Sequence, residues 1–144
     1  MESKQIETET INAPMRIGET EKLTINLGVV DLGQVDLLVQ QGFYSNRSDL
    51  IRTAIRNQLA LHADAVRQAV ARESLVLGLR HLGRDELEAL RAKGEVLQLR
   101  VLGLARIADD VSPELALATI ASVQVLGALH APAAVRQALR GRIR

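Results

Sequence analysis

From Lys22 to Leu27 the chain alternates polar and apolar residues, with Lys22, Thr24 and Asn26 set against Leu23, Ile25 and Leu27. A period of two separates the two sets onto opposite faces of an extended ribbon. So short a run makes a poor lone strand, because one apolar face and a row of backbone groups stay unpartnered. No second strand follows to form a hairpin. A second copy of the chain is the simplest partner, giving a two-stranded antiparallel ribbon. The period then changes. Leu32, Val35, Leu38 and Val39 recur at helical spacing and predict a first helix opening near Asp31, where Asp31-Leu32-Gly33-Gln34 has the spacing of a capping box. Gly42 stands where a left-handed residue closes a helix. Phe43 is expected to fold back on that helix end, and core packing is the expected job of Phe43 and Tyr44. A second helix opens at Ser45 or Asn46 and gathers Leu50, Ile51, Ala54, Ile55 and Leu59 on one apolar face, with Arg52, Arg56 and Asn57 outward. The helical pattern runs on through Val66 and Val70 to about Glu73, either as the same helix or as a new one capped by Asp64.

Strand, helix, glycine turn and helix follow one another between Lys22 and Leu59. The turn Gly42-Phe43-Tyr44-Ser45-Asn46-Arg47-Ser48-Asp49 leads into Leu50-Ile51-Arg52-Thr53-Ala54-Ile55-Arg56. This arrangement resembles the ribbon-helix-helix repressors of the MetJ/Arc/CopG superfamily, and the turn is similar to the CopG-like branch. The resemblance covers roughly a third of the chain. It implies a homodimer that binds double-stranded DNA, with Lys22, Thr24 and Asn26 at the base-reading positions of the ribbon. It also implies that the start of the second helix, at Ser45, Asn46, Arg47 and Ser48, anchors the DNA backbone. The side-chain chemistry is compatible with both roles. Lys donates to guanine acceptors, Asn pairs with adenine, and free N–H groups at a helix start seat phosphate. The dimer core would be built from Leu23, Ile25, Leu27, Leu38, Leu50, Ile51, Ala54 and Ile55. Plainer alternatives stand beside these roles: a solvated strand face for the ribbon, a simple cap for Ser45, a solvated charge for Arg47, and pairing with Asp49 for Arg52.

The second half repeats itself. Val76-Leu77-Gly78-Leu79 recurs as Val101-Leu102-Gly103-Leu104 and as Val125-Leu126-Gly127-Ala128, so that the glycines stand 25 and then 24 residues apart. Each copy leads to a helix signal: Asp85-Glu86-Leu87, Val111-Ser112-Pro113-Glu114-Leu115, and Pro132-Ala133-Ala134-Val135. Strand-plus-helix units of this length fall in the leucine-rich-repeat range and predict a parallel stack with right-handed connections. The Asn ladder of true leucine-rich repeats is missing, and three amphipathic segments of a helical bundle are the alternative. The predicted fold class is therefore α+β. A tail over residues 1–21 precedes a ribbon-helix-helix unit over 22–72, and a βα solenoid of about three units follows over 73–144.

Composition narrows this picture. Aromatic residues make up 1 % of the chain against 47 % hydrophobic, so any core is aliphatic. Net charge is +1, so a nucleic-acid contact has to come from local clustering rather than bulk basicity. The absence of cysteine removes disulfides and thiolate metal sites. His81, Arg106 and His130 each lie three residues after a repeat glycine and would stack as a ladder. An Arg between two His opposes a cation site and suits a solvated face or an anion-binding strip. Asp85-Glu86 and Asp109-Asp110 read as helix-start residues rather than an acid/base couple. No phosphate loop, dinucleotide fingerprint or nucleophile motif is present, so neither catalysis, metal nor cofactor is expected. The tail is acidic, with Glu2, Glu7, Glu9, Glu19 and Glu21 against Lys4 and Arg16, which argues against an arm on phosphate.

These readings lead to a DNA-binding transcriptional regulator, a repressor that occludes a promoter, cytoplasmic and nucleoid-associated, without a membrane segment. No polar capping unit closes the repeat half, which is expected to join dimers into tetramers or longer arrays or to hold a protein partner. The alternatives are a plasmid-partition or antitoxin-type DNA binder and, from another class, a structural assembly protein.

Overall fold

The computed structural model of the chain describes residues 20–144, so the acidic tail expected over 1–21 lies almost wholly outside the described residues. Two compact units divide the remainder, Lys22–Ala69 and Val70–Arg144, with Glu21 belonging to the second.

The first unit is helical. Helix α1 spans Val29–Gln40, α2 spans Arg47–Leu61, and α3 (Ala63–Glu73) begins after a break at His62. That break settles the ambiguity after Leu59 in favour of a separate helix, whose Asp64 pairs with Arg67 across one turn. Helix α1 starts earlier than the sequence pattern predicts. Its cap is Gly28, extended and without a side-chain bond, while Asp31 lies in the first turn. There a carboxylate favours the positive helix end without capping it. At the other end, Gly42 is left-handed at φ 88°. Its N–H donates to Val39 O at 3.0 Å while the Phe43 N–H donates to Leu38 O at 3.0 Å, a Schellman closure. Phe43 departs from expectation. It is 69 % exposed in the single chain instead of packed in a core.

The second unit carries the hydrophobic interior. Strands β1 (Val76–Leu82), β2 (Leu97–Ile107) and β3 (Ile120–His130) form one parallel sheet in the order β1-β2-β3. Parallel neighbours need a crossover, and α4 (Arg84–Lys93) and α5 (Pro113–Thr119) supply it, with α6 (Ala133–Ala138) following β3. Gly78 pairs with Gly103 and Gly103 with Gly127, so the spacing of the sequence repeat is the register of the ladder. Leu82, Leu99, Val101, Ile107, Ile120 and Val123 from the strands pack with Leu87, Leu115, Val135 and Leu139 in one buried cluster. Each such side chain contributes about 1.5–3 kcal/mol by leaving water.

Local signals place the helices. Ser112 accepts a bond from Leu115 N at 3.1 Å with Pro113 at the first helical turn, and Thr119 is buried with its hydroxyl donating to Leu115 O at 2.7 Å. Gly94 ends α4 in the left-handed region, and Ser74 takes the same role after α3 at φ 55°. Among the described residues no helix is long and apolar enough to cross a membrane.

Candidate nucleic-acid interface

The stretch that carries the alternating pattern belongs to no strand of its own chain. Residues 21–28 have no regular secondary structure, lie outside the three-stranded sheet and are exposed throughout. Leu23, Ile25 and Leu27 are 78 %, 53 % and 42 % accessible, and Lys22, Thr24 and Asn26 stand exposed between them.

The two helices that follow share this condition. Neither α1 nor α2 buries a single residue. Leu32, Val35, Val39, Leu50 and Ile51 are half-covered, whereas Leu37, Leu38, Phe43, Ile55 and Leu59 are exposed. Of the side chains predicted for a dimer core, Leu50 and Ile51 are half-covered in one copy. Leu23, Ile25, Leu27, Leu38, Ala54 and Ile55 remain exposed.

The turn into α2 is built by reciprocal bonds. The Asn46 side chain caps the helix, its Oδ1 accepting from Asp49 N at 2.8 Å. The Asp49 carboxylate in turn accepts from Ser45 N at 2.9 Å. This resembles a capping box displaced by one residue, and it fixes the chain's entry to the helix. Ser45, Asn46, Arg47 and Ser48 thus come together as one exposed turn at the positive end of α2.

Arg47 is already engaged. Its Nε donates to Asp36 Oδ1 at 2.7 Å and its Nη2 to Asp36 Oδ2 at 2.8 Å, a two-bond fork joining α2 to α1. The Arg47 hydrogen bond holds the Asp36 carboxyl below its ordinary range, and the same bond raises Arg47 further. The sequence pattern carries no sign of this fork. The partners are eleven residues apart across a turn, outside the spacing of any single-helix rule. The arrangement thus leaves Lys22, Thr24 and Asn26 exposed as a polar row. The start of α2 carries a cation that is shared with a carboxylate. Among the described residues no group of three or more His, Asp or Glu is placed to hold a metal.

A family model described as the Ribbon-Helix-Helix transcriptional regulator family matches residues 18–136. The match takes in the ribbon stretch, both helices and the parallel sheet as far as α6, so the likeness reaches well beyond the third of the chain in which the sequence pattern is legible. No curated protein and no solved structure matches the chain.

Proposed function

This chain belongs to the ribbon-helix-helix transcriptional regulator family, and from that premise we propose that it is a sequence-specific repressor acting as a homodimer. Two copies lay their Leu23–Leu27 segments side by side as an antiparallel ribbon in the DNA major groove, in the manner of the CopG-like branch. Lys22, Thr24 and Asn26 of each copy read bases. The start of α2, at Ser45, Asn46, Arg47 and Ser48, rests on phosphates and sets the register without selecting sequence. The observation that carries this reading is the absence of any buried residue in α1 and α2, together with the exposed apolar side of the ribbon stretch. A helical pair of that kind gains its interior from a partner, and pairing puts Leu23, Ile25 and Leu27 beneath the ribbon while leaving the polar row outward.

The C-terminal half extends the assembly as a short stack of leucine-rich-repeat-like units. Among the described residues, β1 has a strand neighbour only on its β2 side, and β3 is met beyond β2 by no further strand, only by the C-terminal turn, where Ile143 stands opposite Val123 and Arg144 N donates to Val123 O. Open parallel edges of this kind pair with further strands. Joining dimers through them raises affinity for tandem half-sites by effective concentration.

Binding to genomic fragments and to random duplex across a salt series tests the proposal. Affinity should fall steeply with salt, and Asn26→Ala should cost about 1–3 kcal/mol on the preferred site with the dimer intact. A flat salt response with no preferred site would leave the assembly role and remove the regulatory one.

A further inference from the structure

At the carboxyl ends of the three parallel strands His81, Arg106 and His130 lie in register as one row. They line a cleft of about 390 Å³ together with Asp109 and Ala131. Open parallel sheets bind ligands at this end, where the loops after successive strands diverge, and the volume lies within the small-molecule range.

The bonding along the row defines what it accepts. Arg106 Nη2 lies 3.3 Å from His130 Nδ1, and His130 Nε2 lies 2.7 Å from Glu21 Oε2. A guanidinium has no acceptor, so Nδ1 must accept and the imidazole proton must sit on Nε2. His130 then donates from Nε2 toward a carboxylate, with the Arg106 guanidinium behind it. That carboxylate is the chain's own. Both Glu21 and His130 keep enough exposure for a competitor to reach them. His81 has a buried Nδ1 without a hydrogen-bond partner among the described residues, so a second imidazole of the row keeps an unmet bond there. Asp109 brings a negative charge to the same cleft, which disfavours a multiply charged anion and favours a ligand that also offers a donor.

We propose that this cleft binds a small carboxylate bearing a hydroxyl or amino group, which replaces Glu21 on His130 while its donor group meets Asp109. Glu21 immediately precedes Lys22, the first residue of the proposed base-reading set. Exchange of Glu21 for the ligand therefore releases the chain that leads into the ribbon, and by linkage the ligand and the operator alter each other's affinity. This coupling rests on the function proposed above, whereas the binding site does not.

The test uses the full chain, with glycolate and glycine as probes and acetate and inorganic phosphate as comparisons, followed by the imidazole and arginine side-chain resonances. The expected result is saturable shifts at His130, Arg106 and His81 with glycolate or glycine, weaker ones with acetate, and tighter binding by about fivefold in Glu21→Gln, where the tethered competitor is gone. His130→Gln should abolish the response, and its own spectrum reports whether it folds. No saturable shift in either the wild type or Glu21→Gln overturns the site, and equal binding of phosphate overturns the ligand class. Operator affinity measured with and without glycolate separates the two layers. Ligand binding with unchanged operator affinity overturns the coupling alone. Loss of all DNA binding removes the regulator reading and leaves the site standing.

Discussion

A Cβ at Gly103 would stand 2.1 Å from the carbonyl oxygen of Gly78, its partner in the parallel ladder. The same distance separates a Cβ at Gly127 from the Gly103 carbonyl. Gly103 and Gly127 thus make room for the main chain of the strand before each, and all three repeat glycines have φ values between 115° and 141° that side chains rarely adopt.

Gly103→Ala combines that collision with a strained backbone, while Gly78→Ala meets nothing within 4 Å and carries the strain alone. The expected cost for Gly78→Ala is about 1–3 kcal/mol. For Gly103→Ala it is larger, enough to unfold the sheet. Urea midpoints of the two variants, compared side by side, check the difference. Equal losses would show that the close approach is relieved by a small shift.

Ser74 sits in the left-handed region at the end of α3, closing it as a glycine would: Leu75 N donates to Val70 O at 3.0 Å. A non-glycine residue there costs roughly 1–2 kcal/mol. Ser74→Gly should therefore raise stability, by about 0.5–1 kcal/mol once the looser unfolded chain is counted. Thermal unfolding reads the sign directly.

The Asp36–Arg47 fork predicts a pH dependence. Arg47 stays charged throughout, so Asp36 alone titrates. Its folded value is depressed below the unfolded one. The pair's contribution is therefore complete above the ordinary carboxylate range and disappears as acid takes the pH down through the lowered folded value. Arg47→Met should return the Asp36 carboxyl to its ordinary range in a side-chain NMR titration. The stability gap between wild type and variant should be present near neutrality and absent in strong acid. Because the pair is exposed, that gap is small.

Ile25→Ser tests the pairing of two chains. Ile25 is exposed in one copy and would be covered in the dimer, so its loss should weaken association by about 1.5–3 kcal/mol for each copy, or twice that for the pair. Sedimentation equilibrium measures it. The three-stranded sheet, which does not use Ile25, should retain its own urea transition.

The sequence made the local features legible and left the distant ones obscure. Gly42 as a left-handed closure, a cap of α2 at Ser45 or Asn46, and Ser112-Pro113 as the start of α5 all rest on signals a few residues wide; the structure has each of them and makes Asn46 the cap. The glycine spacing was informative for a different reason. A parallel ladder with near-equal crossovers turns a sequence interval into a register. Asp31 misled because a carboxylate at the first turn and one at the cap look alike in a pattern of residue types. Phe43 misled because an apolar residue beside a helix end signals packing without saying in which molecule. Arg47 with Asp36, and Glu21 with His130, had no local signature at all, since the fold alone brings them together.

The helical pair α1–α2 has no interior of its own. A monomer in which that pair stays open to proteases would be cleared quickly, so the lifetime of the chain would rise with its cellular abundance. Dilution at cell division would then shorten its survival as well as lower its number, and a regulator so built would forget its state faster than growth alone dictates.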